Sequence, residues 1–559
     1  MQIIEIRGPL KIAFHSKYVF FSEEKSRMKT DRFTIIMVIV TLACLFSTPT
    51  TVTGSYKDTT NIVPIPVSTE HRNGFFVFKP TIRIIAEQDA QTEASKLIDA
   101  LAPAMGYRLK LASKARPKAK AVKLAIDERL SQLGGEGYIL DVSTEQILIR
   151  AKQPAGLFYG IQTLLQLLPA PIFCKSVVKD INWKVPCLKI TDYPRFQWRG
   201  LLIDPARHFI PVNDVKKFLS VMAMHKFNRL QVHLTDNIGW RIEIKKYPNL
   251  TKLASNRDRS GGKGGFYTQE EIRELVRYAE KRHITIVPEI EMPYHAGSAI
   301  NAYPYIGINP SRVEGMSLDK RWAVLGGLAA PRPETVEFMQ NVLAEVIELF
   351  PSRFIHIGGD EANLKLWEND PEMLKQMKQL GCKNAHELHS WFIKQMDTFL
   401  TRNSRRLLGW DEILQGGLAS GATVMSWRGI QGGITAAKAG HDVVMAPTSH
   451  TYFDYRQAPA EKGLSRNVIN LKKVYSFEPL PAELSNEQAR HVLGGQAQLW
   501  GELIADQNRR EFMAYPRACA LIETVWSPKQ LKNYKNFAFR LLHHLERLDA
   551  MVINYRQLD

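Results

Sequence analysis

Cysteine is scarce in this chain, with five in 559 residues. No Cys-x-x-Cys and no His-x-x-x-His spacing occurs, so the ligand patterns of common zinc sites are missing. Gly-x-Ser-x-Gly is missing too, which excludes a serine nucleophile on a strand-to-helix elbow. The glycine-rich loop from Gly261 to Gly265 lacks the Walker spacing and offers no phosphate cradle. No apolar run reaches membrane-spanning length; the strongest, Phe33 to Phe46, is too short. With no metal-ligand set and no cofactor motif, neither a metal nor a cofactor is expected.

Positive charge is what the chain has in excess. The net charge is +18, on an otherwise ordinary composition of 45% hydrophobic and 23% charged residues. Such an excess points to nucleic acid, an acidic membrane surface or an anionic substrate. The basic residues are spread along the chain, however, and no strand-and-aromatic RNA signature accompanies them, so nucleic acid is not expected as a partner. The densest run, Lys114, Arg116, Lys118, Lys120 and Lys123, includes Pro117 and reads as a solvated loop leading to a strand edge.

Arg27, Lys29 and Arg32 precede the apolar run 33–46, and Ser47 and Thr48 follow it, which is the layout of a signal peptide. Met28 suggests that residues 1–27 are an upstream extension. Residues 1–54 are therefore read as extension plus leader, with cleavage near Gly54 or Ser55. The expected location is periplasmic or extracellular. Membrane contact is expected only through lipidation at Cys44. Cys174 and Cys187 are near enough in sequence to pair in an oxidising compartment.

The length calls for more than one domain. Residues 55–190 read as a small α+β domain. Its strands are expected at 75–78, 81–84 and 121–126, with a hairpin over 137–142 and 146–150 and helices over 92–101 and 154–168. From 191 to 530 the texture changes. Eight short apolar segments (199–204, 229–235, 284–290, 354–358, 406–410, 422–427, 442–446 and 493–499) alternate with helical patterns at 213–225, 268–282, 333–350, 384–402 and 431–439. That alternation predicts parallel βα units closing into a (β/α)8 barrel, a TIM barrel. A helix is expected over 513–525, and 531–559 reads as a C-terminal helical segment.

Barrel chemistry gathers at the carboxyl ends of the strands. Here those ends bring Asp204, Arg207 and His208; His233, Asp236 and Asn237; Glu289, Glu291 and His295; Asp360 and Glu361; Trp410, Asp411 and Glu412; Trp427 and Arg428; Tyr452 and Asp454; Trp500 and Glu502. The centre of this set is Phe354-Ile355-His356-Ile357-Gly358-Gly359-Asp360-Glu361, an apolar strand running into two glycines and two adjacent acids. Two readings of the acids fit: a helix N-cap with an acidic first turn, or a site where an irregular glycine turn brings both carboxylates together. Taken singly, each strand-end residue has an ordinary structural explanation. All eight ends being polar or aromatic is harder to explain by packing. Tryptophans among carboxylates suit a sugar, whose C–H faces stack on rings and whose hydroxyls donate to acids.

His356-Ile357-Gly358-Gly359-Asp360-Glu361 resembles the signature of the family-20 glycoside hydrolases, the β-N-acetylhexosaminidases. So do Arg199-Gly200 through Asp204, Arg207-His208-Phe209, His233-Leu234-Thr235-Asp236, Pro288-Glu289-Ile290-Glu291-Met292-Pro293, Gly409-Trp410-Asp411-Glu412 and Leu499-Trp500-Gly501-Glu502. The resemblance spans about residues 61 to 530. It implies an exo-acting enzyme that releases a terminal β-linked N-acetylhexosamine, with a carbohydrate as partner. The substrate's own acetamido oxygen attacks the anomeric carbon in such enzymes. Carried over, Glu361 is the general acid and base, Asp360 holds the acetamido N–H, and Tyr452 aims the acetamido oxygen. Trp410, Trp427 and Trp500 wall the pocket, Arg207, Glu502 and Asp454 bind hydroxyls, and Asp236 and His295 support the substrate site from behind. The family usually has glycine before the third-strand histidine; Tyr294 in its place is expected to shift His295 or narrow the cleft. Other readings are a sugar-binding protein descended from such an enzyme, which the presence of Glu361 disfavours, a charge-driven anionic-surface binder, and a different barrel glycosidase that cleaves β-glucosides.

Overall fold

The computed structural model describes residues 60–113, 119–313, 316, 317, 320, 321, 324 and 326–558. The leader and upstream extension read over 1–54, Cys44, and the basic positions Lys114, Arg116 and Lys118 lie outside the described residues.

The first layer is a mixed sheet of seven strands: β1 (Ser68–Val77), β2 (Arg83–Ala86), β3 (Lys110–Ala112), β4 (Ala121–Ile126), β5 (Tyr138–Val142), β6 (Gln146–Ala151) and β7 (Lys184–Asp192), in the order β1-β7-β5-β6-β4-β2-β3. β5 and β6 pair antiparallel as the predicted hairpin, whereas β2, β4 and β6 run parallel. The helix Gln91–Met105 continues beyond the expected 92–101 and carries Pro103 inside it. The helix Pro154–Leu167 buries most of its length, because the sheet lies on one side and the barrel on the other. β3 and β7 were not expected. β3 is three residues long and exposed to half-buried, so it has no apolar signature. β7 alternates exposed or half-buried with buried positions around Pro186. Cys174 and Cys187 are free, the first half-buried and the second buried.

The second unit is a closed barrel of parallel strands: β8 (Trp198–Ile203), β9 (Arg229–His233), β10 (Thr285–Met292), β11 (Phe354–Gly358), β12 (Arg406–Trp410), β13 (Thr423–Ser426), β14 (Val443–Met445) and β15 (Val492–Leu499). All eight predicted segments are there, and β15 pairs with β8 to close the ring. The strands are buried on both faces, which is why they read as continuous apolar runs rather than alternations. Trp198, Leu202, Val287, Leu408, Met425 and Val444 fill the interior. Above them lies a polar layer: Trp198 Nε1 donates to Gln496 (3.0 Å), Gln496 Nε2 to Gln231 (2.6 Å), and Gln231 Nε2 to Glu289 (2.9 Å).

The expected helix over 513–525 is two helices, Gln507–Ala514 and Arg517–Trp526. Pro516 separates them, since it has no N–H to continue the first helix. The sheet and the barrel are fastened by ion pairs, one fully buried and one with its carboxylate partly exposed. Lys226 Nζ stands 2.8 Å from Asp192, and Arg199 grips Glu136 at 2.7 and 3.0 Å.

Candidate active site

The turn after β11 decides how the two acids are presented. Gly358 and Gly359 have φ of 70° and 90°, and Glu361 itself has φ of 51°. Left-handed backbone at consecutive positions breaks the alternation of a strand. Asp360 and Glu361 therefore reach the same place instead of opposite faces. The N-cap reading is overturned: the next helix starts at Lys365, and its N-cap residue is Leu364. A Cβ at Gly358 would overlap the Glu291 carboxylate, so this turn is packed as well as left-handed.

A cavity of about 160 Å³ opens at the carboxyl end of the barrel, lined by Arg207, His295, Asp360, Glu361, Trp410, Trp427, Tyr452, Trp500 and Glu502 among others. Nine of the eleven expected site residues thus meet in one place. The other two, Asp236 and Asp454, are buried beside it. Asp236 takes Arg207 Nη2 at 2.8 Å and faces His295 Nδ1 at 3.5 Å. Neither Asp454 carboxylate oxygen has a hydrogen-bond partner. Burial, and then the neighbouring Glu502 charge, push Asp454 well above the usual carboxylate range.

Arg207 is fixed from three sides. Its guanidinium contacts Asp204 (3.1 Å), Asp236 (2.8 Å) and Glu502 (3.6 Å), and its charge lies 5.1 Å over the Trp500 ring. Trp410 and Trp500 meet at 5.7 Å, and Trp427 stacks on Tyr452 at 6.1 Å. Tyr452 is steadied by a bridge to Gln498 of β15. Trp410 Nε1 donates to Glu289 at 3.0 Å, so the polar layer inside the barrel anchors the pocket wall.

The two adjacent acids differ electrostatically. Asp360 is nearly covered, 13% exposed at the side chain, and its Oδ1 has no partner. Burial raises its carboxyl above the ordinary value; His295 opposes this, and Glu289 and Glu361 add to it. Glu361 is 55% exposed, and its Oε2 lies 3.3 Å from His295 Nε2. That contact holds Glu361 below the usual range. Burial disfavours charge on His295, but the carboxylates of Asp236, Glu361 and Asp360 outweigh it, and His295 sits above its ordinary value. Tyr294 packs its ring on His295 at 4.5 Å without pulling it from Glu361. Nor is Tyr294 among the lining residues.

Sequence reasoning placed His233 and Glu291 at strand ends without giving them a site role, and both line the cavity. His233 is held between Glu289 (2.8 Å) and Asp236 (3.1 Å). Burial opposes its charge, yet Glu289 and Asp204 push it up to about 10. Tyr455 and Leu464 also line the cavity. They come from the long connection between β14 and β15, which has no periodicity to betray where it folds back.

Residues 196–529 match the family model described as "Glycosyl hydrolase family 20, catalytic domain", and residues 59–193 match "Glycosyl hydrolase family 20, domain 2". A β-hexosaminidase of Porphyromonas gingivalis is 41% identical over 89% of this chain and 65% of its own length, so the chain spans a little under two thirds of that relative. A β-hexosaminidase of Akkermansia muciniphila is 35% identical over 76% of this chain and 86% of its own length. Among solved structures, the exo β-N-acetylglucosaminidase of Vibrio harveyi in complex with N-acetylglucosamine superposes with a TM-score of 0.80 at 32% identity, covering 89% of this chain and 78% of that one.

Proposed function

The chain belongs to glycosyl hydrolase family 20, and from that membership we propose that it releases terminal, non-reducing, β-linked N-acetylhexosamine by a retaining, substrate-assisted reaction. The observation that carries this reading is the unpartnered Oδ1 of buried Asp360 inside a tryptophan-walled cavity. A buried carboxylate oxygen without a donor is costly. The N–H of a 2-acetamido group is the donor that such a cavity lacks. Adjacent acids cannot flank a sugar ring as acid and nucleophile, whereas the acetamido oxygen can supply the nucleophile.

In the first step the acetamido oxygen attacks the anomeric carbon and the bond to the leaving oxygen breaks. Glu361 gives that oxygen its proton. Asp360 stabilises the positive charge that grows on the acetamido nitrogen. Water then attacks the same carbon, Glu361 recovers a proton from it, and the ring of the oxazolinium opens, so configuration is retained. Glu361 must hold a proton when the substrate is bound. A saccharide covering this half-exposed group removes its water and favours the neutral acid. His295, 3.3 Å away, holds the Glu361 carboxyl in place. Tyr452 donates to the acetamido oxygen, Trp410, Trp427 and Trp500 pack on the ring and its methyl group, and Arg207 with Glu502 and Asp454 takes the hydroxyls of the non-reducing end. Asp236 aligns Arg207 and His295. Both the β-hexosaminidase relatives and the N-acetylglucosamine complex of the Vibrio enzyme support a carbohydrate substrate.

A chromogenic panel of aryl β-N-acetylglucosaminide, β-N-acetylgalactosaminide and β-glucoside tests the reading. Strong turnover of one or both N-acetylated substrates with little of the glucoside is expected. Equal cleavage of the glucoside would remove the acetamido group from the mechanism. Export is proposed on the run 33–46 and its basic flank; secreted protein whose N-terminus still precedes Phe33 would count against it.

A further inference from the structure

Glu361 lines two cavities. One is the ring pocket; the other, about 460 Å³, lies beside it and is lined by Lys365, Glu368, His386, Glu412, Gln415 and Arg428 among others. Glu361 is the lining residue that the two have in common. A general acid stands between the ring it frees and the group that leaves. If the ring occupies the tryptophan-walled pocket, the larger cavity lies on the leaving-group side. This step rests on the proposed function above.

Glu412 joins the two spaces in a second way. Its Oε2 accepts from Trp427 Nε1 at 2.9 Å, and Trp427 is a wall of the ring pocket. Its side chain is mostly covered, 13% exposed, and lines the larger cavity. The remaining oxygen, Oε1, lies 3.7 Å from Arg428 Nε, beyond hydrogen-bond distance, because that nitrogen is committed to Asp411 at 2.7 Å. Glu412 therefore holds a wall of the ring pocket through one oxygen, while the other makes only a long ion pair with Arg428 in a side chain that lines the neighbouring space.

We propose that Glu412 is a specificity-determining residue for the leaving group: its Oε1 hydrogen-bonds a hydroxyl of a leaving sugar. The surrounding charges agree. Burial first, then the Asp360 and Asp411 carboxylates, raise Glu412 to about 8, against the opposing pull of the Trp427 N–H and of Arg428. Glu361, Lys365, Glu368, His386, His389 and Arg428 are the other titratable or charged groups lining the cavity. At neutral pH the acid is a donor. Above pH about 8 it becomes a second negative charge next to Asp360 and can only accept.

The experiment compares two substrates with the same terminal sugar: an aryl β-N-acetylglucosaminide and N,N′-diacetylchitobiose, whose leaving group is itself a sugar. The quantity read is the ratio of kcat/KM for the disaccharide to that for the aryl substrate. Glu412→Leu should lower this ratio roughly three- to tenfold, the worth of one hydrogen bond between neutral partners. Glu412→Gln keeps an acceptor for Trp427 and a donor for the sugar, so it should restore the ratio. In the wild type the ratio should fall more steeply as pH rises through about 8 than in Glu412→Gln, where only the need of the sugar leaving group for the Glu361 proton remains. Equal losses on both substrates in Glu412→Leu would reduce Glu412 to a prop for Trp427 and overturn the proposal, as would a wild-type ratio that falls no more steeply with pH than that of Glu412→Gln. Failure of the wild type on both substrates would instead sink the proposed function itself, so the two failures are distinct.

Discussion

Asp360 is covered and pushed up by its burial, while Glu361 next to it is half-exposed and held down by His295. Such a pair divides its labour, and substitution should separate the parts. Glu361→Gln keeps the shape but can neither give nor recover a proton. Its loss should be largest for sugar leaving groups that need protonation and smaller for a nitrophenyl group that leaves unaided. Asp360→Asn removes the charge that stabilises the acetamido nitrogen, so its defect should persist with the good leaving group. A thiazoline mimic of the cyclic intermediate should inhibit wild type and bind Asp360→Asn more weakly. Identical losses for both variants on every leaving group would rule out this division. Tyr452 gives a cleaner single-atom test. It is buried and stacked on Trp427, so Tyr452→Phe removes a hydroxyl and leaves the packing. One missing oriented donor costs roughly a hundredfold in kcat, with circular dichroism unchanged. Near-normal turnover would take Tyr452 out of acetamido positioning.

At the scale of the element, the turn after β11 is the part that must not move. Gly358 combines φ of 70° with a carboxylate packed where a Cβ would go. Gly358→Ala pays for left-handed backbone and also displaces Glu291, which shifts the two acids that follow. A misplacement of about 1 Å can cost on the order of a hundredfold in rate. The protein should fold, and kcat/KM should fall by that order; wild-type kinetics would show that the turn tolerates a side chain. The strand bearing this turn was legible in the sequence because its apolar run is bounded by glycines, and all eight barrel strands were legible for the same reason, being buried on both faces. β3 was not, since a three-residue, largely exposed edge strand has no apolar pattern. Pro516 does announce the break between the last barrel helices, but the apolar spacing on either side reads through it. In the site, strand-end residues were legible by position alone. Tyr455, Leu464 and the second role of Glu412 were not, because each depends on where a loop or a neighbouring ring comes to rest.

Across the whole molecule, the small sheet and the barrel are joined through charges that no water reaches. Asp192 at the end of β7 is fully buried. It accepts from Lys226 Nζ (2.8 Å), Tyr138 Oη (2.7 Å), Trp526 Nε1 (3.0 Å) and the Val67 N–H (3.2 Å). These partners come from the barrel, from β5, from the helix Arg517–Trp526 and from the segment leading into β1. One carboxylate thus ties four parts of the chain together. Burial pushes the Lys226 ammonium below its ordinary value even with Asp192 beside it, so the lysine depends on that partner. Removing one member of a buried pair costs roughly 3–5 kcal/mol, because the other charge is left without compensation. Asp192→Ala should therefore lower the denaturant midpoint sharply, while folded protein retains near-normal kcat, since neither Asp192 nor Lys226 lines the ring pocket. Replacing both charges, Asp192→Leu with Lys226→Met, should recover only the part of the loss that comes from the unpaired ammonium, since Tyr138 Oη, Trp526 Nε1 and the Val67 N–H still lose their acceptor. A midpoint in Asp192→Ala within experimental scatter of wild type would mean that this buried cluster adds nothing to the joint between the two units.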